Sequence, residues 1–335
     1  MTYDRPMFAT LHGAYPATDP GAVVDRDVES LVRRVLDDQQ DAGLGLLTDG
    51  GVRTDDAGAT ILAGLGGPSR LTRNGPLTVD AWLRTAAAVP GVPVKQSLPG
   101  PYTLGRRFAP TEQRRRDLTM ILADALAAEL ADLAAAGCPF IQIDEDAAVS
   151  IGLDADERIC FVEAQERLLA GLGPRGTPGR PHTSLAIAGG NADAAGPETV
   201  FAPAYDSYLF DLIDGPDNWR LITRAPADRG IVLGVVDRTT AVDGPELILW
   251  AVGYAASSGD RGESRVGIAT SSSLAGLSRA DARRKIDLLG SVVKLIERRH
   301  VEPIAASLDP RAIDSRSGTL GRWTPPPERR TGGGG

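Results

Sequence analysis

The chain has 335 residues, of which 42% are hydrophobic and 24% charged, and its formal net charge is −8. That composition supplies a sizeable core and excludes global disorder, and the lack of a basic surplus excludes nucleic acid and anionic membrane as partners. Two cysteines, Cys138 and Cys160, cannot build a disulfide framework or a cysteine-rich metal cluster, and no stretch has the pattern of a leader or the length of a membrane span.

In chain order, Phe8 to Gly13 reads as a first strand and Val23 to Gln40 as an amphipathic helix, its apolar residues Val24, Val28, Leu31 and Val35 recurring at three and four. Leu44 to Thr48 is a second strand running into Asp49-Gly50-Gly51-Val52-Arg53. Leu77 to Val89 is helical. Val94 to Leu98 is a third strand closed by Pro99-Gly100-Pro101, and Thr111 to Ala136 is a long helix with a solvated Arg114-Arg115-Arg116 face.

The run Gly137 to Asp146 is the centre of the pattern. Its apolar part reads as a buried parallel strand, and it ends in Asp144-Glu145-Asp146. Those acids either open into a pocket or cap the next helix, Ala155 to Leu172. Four more strands follow, at Thr183 to Ala188, Ser207 to Ile213, Ile231 to Val236 and Val266 to Ala269, with helices at Trp219 to Thr223, Glu246 to Ala256 and Arg279 to Val301. Eight strands alternating with helices, each strand ending in Gly, Asp, Arg or Ser, predict an α/β protein with one (β/α)8 TIM barrel over residues 1–309. A doubly wound sheet would need a helix-opening phosphate loop such as GxGxxG, and none of the predicted helices opens on one. Residues 310–335, rich in Arg, Pro and Gly, read as a disordered tail.

Several motifs, in order and spacing, resemble the catalytic domain of cobalamin-independent methionine synthase. They are Gly13-Ala14-Tyr15-Pro16, Leu47-Thr48-Asp49-Gly50, Leu98-Pro99-Gly100-Pro101-Tyr102-Thr103-Leu104, Ile141-Gln142-Ile143-Asp144-Glu145, Leu233-Gly234-Val235-Val236-Asp237 and the turn Ser271 to Leu274. The resemblance covers roughly residues 8 to 300. It implies the same barrel and a zinc-dependent methyl transfer to a thiol. In that family a His-x-Cys pair, a glutamate and a cysteine hold the metal, and here those positions match Ala186, Ala188, Asp211 and Ser272. Alanine cannot coordinate, and a neutral serine hydroxyl is a poor zinc ligand. The family's homocysteine-binding glutamate matches Gly51, its folate-stacking tryptophan Arg107, and its histidine for proton transfer Thr239. The sequence therefore describes a divergent relative without the zinc ligands, not a working methionine synthase.

The barrel mouth keeps many polar groups. The resemblance puts Asp144 against a substrate amino group, with Glu145, Asp237 or His12 moving protons. Glu145 cannot share an inward face with Asp144, because neighbouring strand residues point to opposite sides, so it either bonds adjacent loops or acts as an acid or base. Around them, Tyr15, Asp49, Arg53, Lys95, Gln96 and Gln142 are candidates for binding substrate, as are Arg107, Asn191, Asp211, Arg238 and Ser272. Crowded carboxylates raise one another's pKa toward neutrality. His182 and His300 read as structural. No cofactor is expected, zinc included.

The function expected is a metal-independent, cytoplasmic enzyme acting on a small amino-acid-like or carboxylated substrate, as a transferase or a lyase. A homodimer is compatible with it. Two alternatives stand beside it: an inactive barrel kept as a binding or scaffold protein, and a methyltransferase whose metal ligands have moved.

Overall fold

The computed structural model describes residues 7–16, 18, 27–67, 71–239 and 244–297. Seven strands form one parallel sheet: β1 Ala9–Thr10, β2 Lys95–Pro99, β3 Phe140–Asp144, β4 His182–Ile187, β5 Ser207–Asp211, β6 Gly230–Val236 and β7 Val266–Thr270. Their order in space is β1-β7-β6-β5-β4-β3-β2, so each consecutive pair from β2 to β7 is adjacent and β1 returns beside the last strand. The two edges then meet through Leu46 and Leu47, which bridge to Thr10 on one side and Val94 on the other. The ring closes as a barrel. The second predicted strand, Leu44 to Thr48, is thus present only as these two bridging residues, held by Leu46 N–H to Ala9 O at 3.3 Å and Leu47 N–H to Pro93 O at 3.0 Å.

Among the described residues ten α-helices surround the sheet: α1 Val28–Ala42, α2 Ala57–Gly64, α3 Val79–Ala88, α4 Pro101–Phe108, α5 Glu112–Ala135, α6 Ala155–Leu169, α7 Pro197–Val200, α8 Trp219–Ile222, α9 Pro245–Ser257 and α10 Arg279–Glu297. Local chemistry sets several ends. Asp27 accepts the Glu29 N–H to open α1, and Gly43 closes it in the left-handed region at φ 85°. Leu31, Val32, Val35 and Leu36 of α1 and Leu126, Leu130 and Leu133 of α5 turn into the layer between helices and sheet. Burying one such side chain is worth about 1.5–3 kcal/mol, so this layer carries most of the stabilisation. Inside the barrel a smaller plug of Ala186, Leu209, Val232 and Ala269 sits against Phe8 and seals the bottom of the mouth.

Three differences from the sequence reading have physical causes. Residues 19–26 lie outside the described residues, and within them α1 begins at Val28, where Asp27 supplies the cap. The Pro99-Gly100-Pro101 turn also starts a helix, since Pro101 takes the N1 position, where its missing N–H costs nothing. Helix α2 lies where the sequence reading placed no helix, opened by Asp56, whose side chain accepts the Ala59 N–H. His300 and the tail at 310–335 fall outside the described residues. Among those described, no helix is long and apolar enough to cross a membrane.

Candidate active site

The mouth is built from the C-terminal ends of the strands and the turns that follow them. Strand alternation sends Gln142 and Asp144 to one side of β3 and Glu145 to the other. On the inner side four side chains form one hydrogen-bonded chain. The Lys95 ammonium donates to Leu11 O at 2.5 Å and to Gln142 Oε1 at 2.7 Å. The Gln142 amide nitrogen lies 2.6 Å from Asp144 Oδ1 and 3.0 Å from His12 Nδ1. His12 is fixed in turn by Thr270, whose hydroxyl accepts the His12 N–H and donates to the His12 carbonyl, both at 2.8 Å.

Burial governs the protonation of this chain. It pushes the His12 imidazole down to about 4, against the upward pull of Asp146 and Asp211, while Lys95 pushes the same way as burial. Burial likewise drops Lys95 to about 7, with Asp144 opposing, and lifts Asp144 to about 6, with the Gln142 hydrogen bond and Lys95 opposing. Asp146 stands at the rim with its side chain open to solvent, yet its surroundings and the neighbouring Asp144 charge lift it to about 6 as well. Two carboxyls and one amine therefore titrate within about one unit of neutrality. Such a set can hold, release and exchange a proton at physiological pH.

Asp146, which opens a short 3-10 turn after β3, joins this mouth, although it was not among the site residues expected from the sequence. The available signal was its place as the last acid of the Asp144-Glu145-Asp146 run. Asp211 is buried beside it, but its two oxygens accept the N–H groups of Gly189 at 3.0 Å, Ile213 at 2.8 Å and Asp214 at 3.0 Å. It holds two turns in place, and burial raises its pKa.

Other expected site residues are engaged elsewhere. Glu145 points to the outer side, into the start of α4, where it accepts the N–H groups of Tyr102 (3.0 Å) and Thr103 (2.7 Å), the Thr103 hydroxyl (2.6 Å) and the Gln165 amide (2.6 Å). Of the two roles left open for it, the geometry shows the bonding one. Burial nonetheless lifts Glu145 to about 7. Asp237 is paired with buried Lys285 of α10 at 2.6 Å and accepts the Thr239 hydroxyl. Arg53 clamps Glu29 of α1 through two nitrogens, at 2.6 and 2.9 Å, and Asp49 accepts the Gly51 N–H at 2.9 Å with Arg53 Nε 3.4 Å away. The Tyr15 hydroxyl reaches Asp38 on α1 at 3.2 Å, Arg107 pairs with Asp56, and Gln96 donates to Ser97 O at 2.8 Å. Asn191 exchanges contacts with Asp217 at 2.9 and 3.3 Å. Arg238 remains exposed, 3.9 Å from Asp214, and Ser272 is half-buried. His182 stacks on Phe140, with Nε2 2.8 Å from the Ser207 hydroxyl, as a structural histidine does.

Residues 68–164 match the family model of the cobalamin-independent synthase catalytic domain. The resemblance read from the motifs is borne out. Among solved structures, a B12-independent methionine synthase from Shewanella, in complex with selenomethionine, superposes with a TM-score of 0.70 at 16% identity, covering 89% of this chain and 100% of that one. A Listeria monocytogenes protein classed with the vitamin-B12-independent methionine synthases gives 0.63 at 17% identity, covering 88% and 98%. A methyltransferase from Methanosarcina mazei gives 0.56 at 13% identity, covering 86% and 94%. At these identities the structures show a shared barrel.

The zinc implied by the family does not fit the four positions matched to its ligands. Ala186 belongs to the apolar plug, Ala188 is buried without a donor atom, and Asp211 is occupied by three backbone N–H groups. Ser272 alone cannot hold the ion. Among the described residues no group of three or more His, Cys, Asp or Glu is arranged to bind a metal.

Proposed function

We propose that this relative of the methionine synthases is an enzyme for a small amino-acid-like substrate, working by acid–base chemistry without zinc at the family position. The observation that carries this reading is the hydrogen-bonded chain of Lys95, Gln142, Asp144 and His12 at the barrel mouth, in which burial lifts Asp144 to about 6, with Asp146 at the rim beside it. A substrate ammonium entering beside the two carboxyls would stabilise their ionised forms and release the proton that Asp144 holds, which the substrate's reacting atom can then receive. Arg238, exposed and 3.9 Å from Asp214, is our candidate to meet a substrate carboxylate. The reaction class that suits such a set is group transfer or carbon–heteroatom bond cleavage in which the protein supplies position and a proton. The selenomethionine bound by the Shewanella protein makes methionine-like amino acids the first probes.

A second reading, a barrel that binds without turning over, is favoured by the alanines at positions 186 and 188, which leave the family's reacting position inert. One experiment separates the two. Protein dialysed against EDTA is incubated with L-methionine, L-homocysteine and a cell metabolite extract, beside Asp144→Asn, and followed by mass spectrometry. The enzyme reading expects an amine-bearing metabolite to be consumed, with the variant slower by roughly 100-fold or more. Retention of such a metabolite without consumption supports the binding barrel. Turnover that survives in Asp144→Asn, or that requires added zinc, overturns the proposal.

A further inference from the structure

The donors of the hydrogen-bond chain at the mouth can be assigned from its two charged ends. As an ammonium Lys95 has no acceptor to offer to its two close contacts, Leu11 O at 2.5 Å and the Gln142 side chain at 2.7 Å, and once it is neutral and could accept, the Asp144 carboxylate is ionised and still requires the amide N–H. The oxygen of the Gln142 amide must therefore face Lys95. The amide nitrogen then faces Asp144 Oδ1 at 2.6 Å and His12 Nδ1 at 3.0 Å, and it donates to both. The flipped amide would set N–H against N–H at Lys95 and oxygen against the Asp144 carboxylate. Because Nδ1 of His12 accepts, the ring proton sits on Nε2. Among the described residues Nε2 makes no hydrogen bond of its own.

We propose that Lys95, acting through Gln142, fixes His12 as the neutral Nε2–H tautomer, so that His12 serves the mouth as a hydrogen-bond donor to the substrate and not as its general base. This deepens the reading of the mouth as a reacting site and rests on it for the word substrate. Lys95 and Gln142 are positioning residues. The groups that face His12 are Lys95, Gln142, Asp144, Asp146 and Asp211. Burial keeps the ring neutral through the physiological range, which is the protonation state a fixed donor needs. A donor aimed at a developing negative charge stabilises it without a proton leaving the protein.

The test reads the tautomer directly and needs no turnover, so it can fail while the enzyme reading survives, and the reverse. Long-range proton–nitrogen spectra of the full chain, labelled at histidine, show which ring nitrogen carries hydrogen, and His12→Gln assigns the signal. The expected wild-type pattern is the Nε2–H form from pH 5.5 to 8. In Gln142→Glu no donor remains for Nδ1, and that nitrogen becomes protonated. Lys95→Met keeps the amide but frees it to turn, and an Nδ1–H population is expected to grow as Asp144 takes up its proton. A wild-type Nδ1–H or imidazolium form at pH 7 overturns the proposal, as does an unchanged tautomer in both variants. An unchanged tautomer in Lys95→Met alone removes Lys95 from the device.

Discussion

At the scale of the residue, the mouth holds its charges at a cost to the fold, and the sign of that cost can be worked out for Asp144. Burial raises its pKa from 3.8 to about 6, so the protonated acid is the form that the folded state prefers. The stability this confers is complete below about 3.8 and is lost as the pH rises through 6. At pH 8 the carboxylate is ionised while Lys95, pushed down to about 7, is mostly neutral, so little ion pairing offsets the loss. Asp144→Asn keeps an oxygen for the Gln142 amide and removes the charge. It is expected to melt above the wild type at pH 8, by on the order of 1 kcal/mol, and level with it at pH 4. Thermal melts at the two pH values decide it, and a variant less stable at pH 8 would show that Asp144 holds the fold and not only the site.

At the scale of the element, Glu145 shows how a residue next to the site can serve a helix instead. Its carboxyl sits at the start of α4, where the first N–H groups of a helix lack intrahelical partners, and it accepts two of them. Gly100 makes the approach possible. A methyl group added there would stand 2.1 Å from the Glu145 carboxyl carbon, closer than any real contact. Gly100→Ala should therefore cost about 2–4 kcal/mol in urea unfolding, by displacing the carboxyl and orphaning the donors. Glu145→Ala should cost a similar amount, and the double variant less than the sum by more than about 1 kcal/mol, because both changes break one contact. Strict additivity would show that the clash and the hydrogen bonds are separate matters.

The same element marks where the sequence stops being legible. Strand ends and the opposite orientation of Asp144 and Glu145 follow from patterns within a few residues of each other, the inward side of Asp144 came from the family resemblance, and the barrel followed from counting such strands. The start of α4 depends on a carboxyl more than forty residues away, which no local window reveals. Arg53, Tyr15 and Arg107 look like free anchors in the sequence for the same reason: their partners Glu29, Asp38 and Asp56 come from other turns of the chain. Lys95 and Gln142 were named from the sequence, but their mutual orientation, and with it the tautomer of His12, exists only once β2 and β3 are paired with Lys95 beside Phe140.

At the scale of the whole molecule, the barrel is closed by its weakest joint. Strands β2 to β6 are joined by four- and five-residue ladders, whereas β1 offers two residues and the Leu46–Leu47 segment one bridge to each side. So short a seam cannot hold itself, and the helices outside it supply the missing constraint. Asp38 of α1, fully buried, accepts from Arg279 and Arg283 of α10, each at 2.7 Å, which ties the first helix to the last. Beside that pair Gly290 lies so close to α1 that a Cβ on it would stand 1.7 Å from the Ala42 carbonyl oxygen. Gly290→Leu must then push α10 away from α1 and strip the seam of its cover. The expected loss is several kcal/mol, about 3 or more, since backbone and not a flexible side chain has to move. The order of opening is the sharper consequence. In hydrogen exchange, the amides of Leu46 and Leu47 should lose protection in the variant well before those of β3 to β5, because the seam becomes a separate opening unit. A uniform loss across all strands would mean that the ring opens as a whole and that the α1–α10 contact is not what keeps it shut.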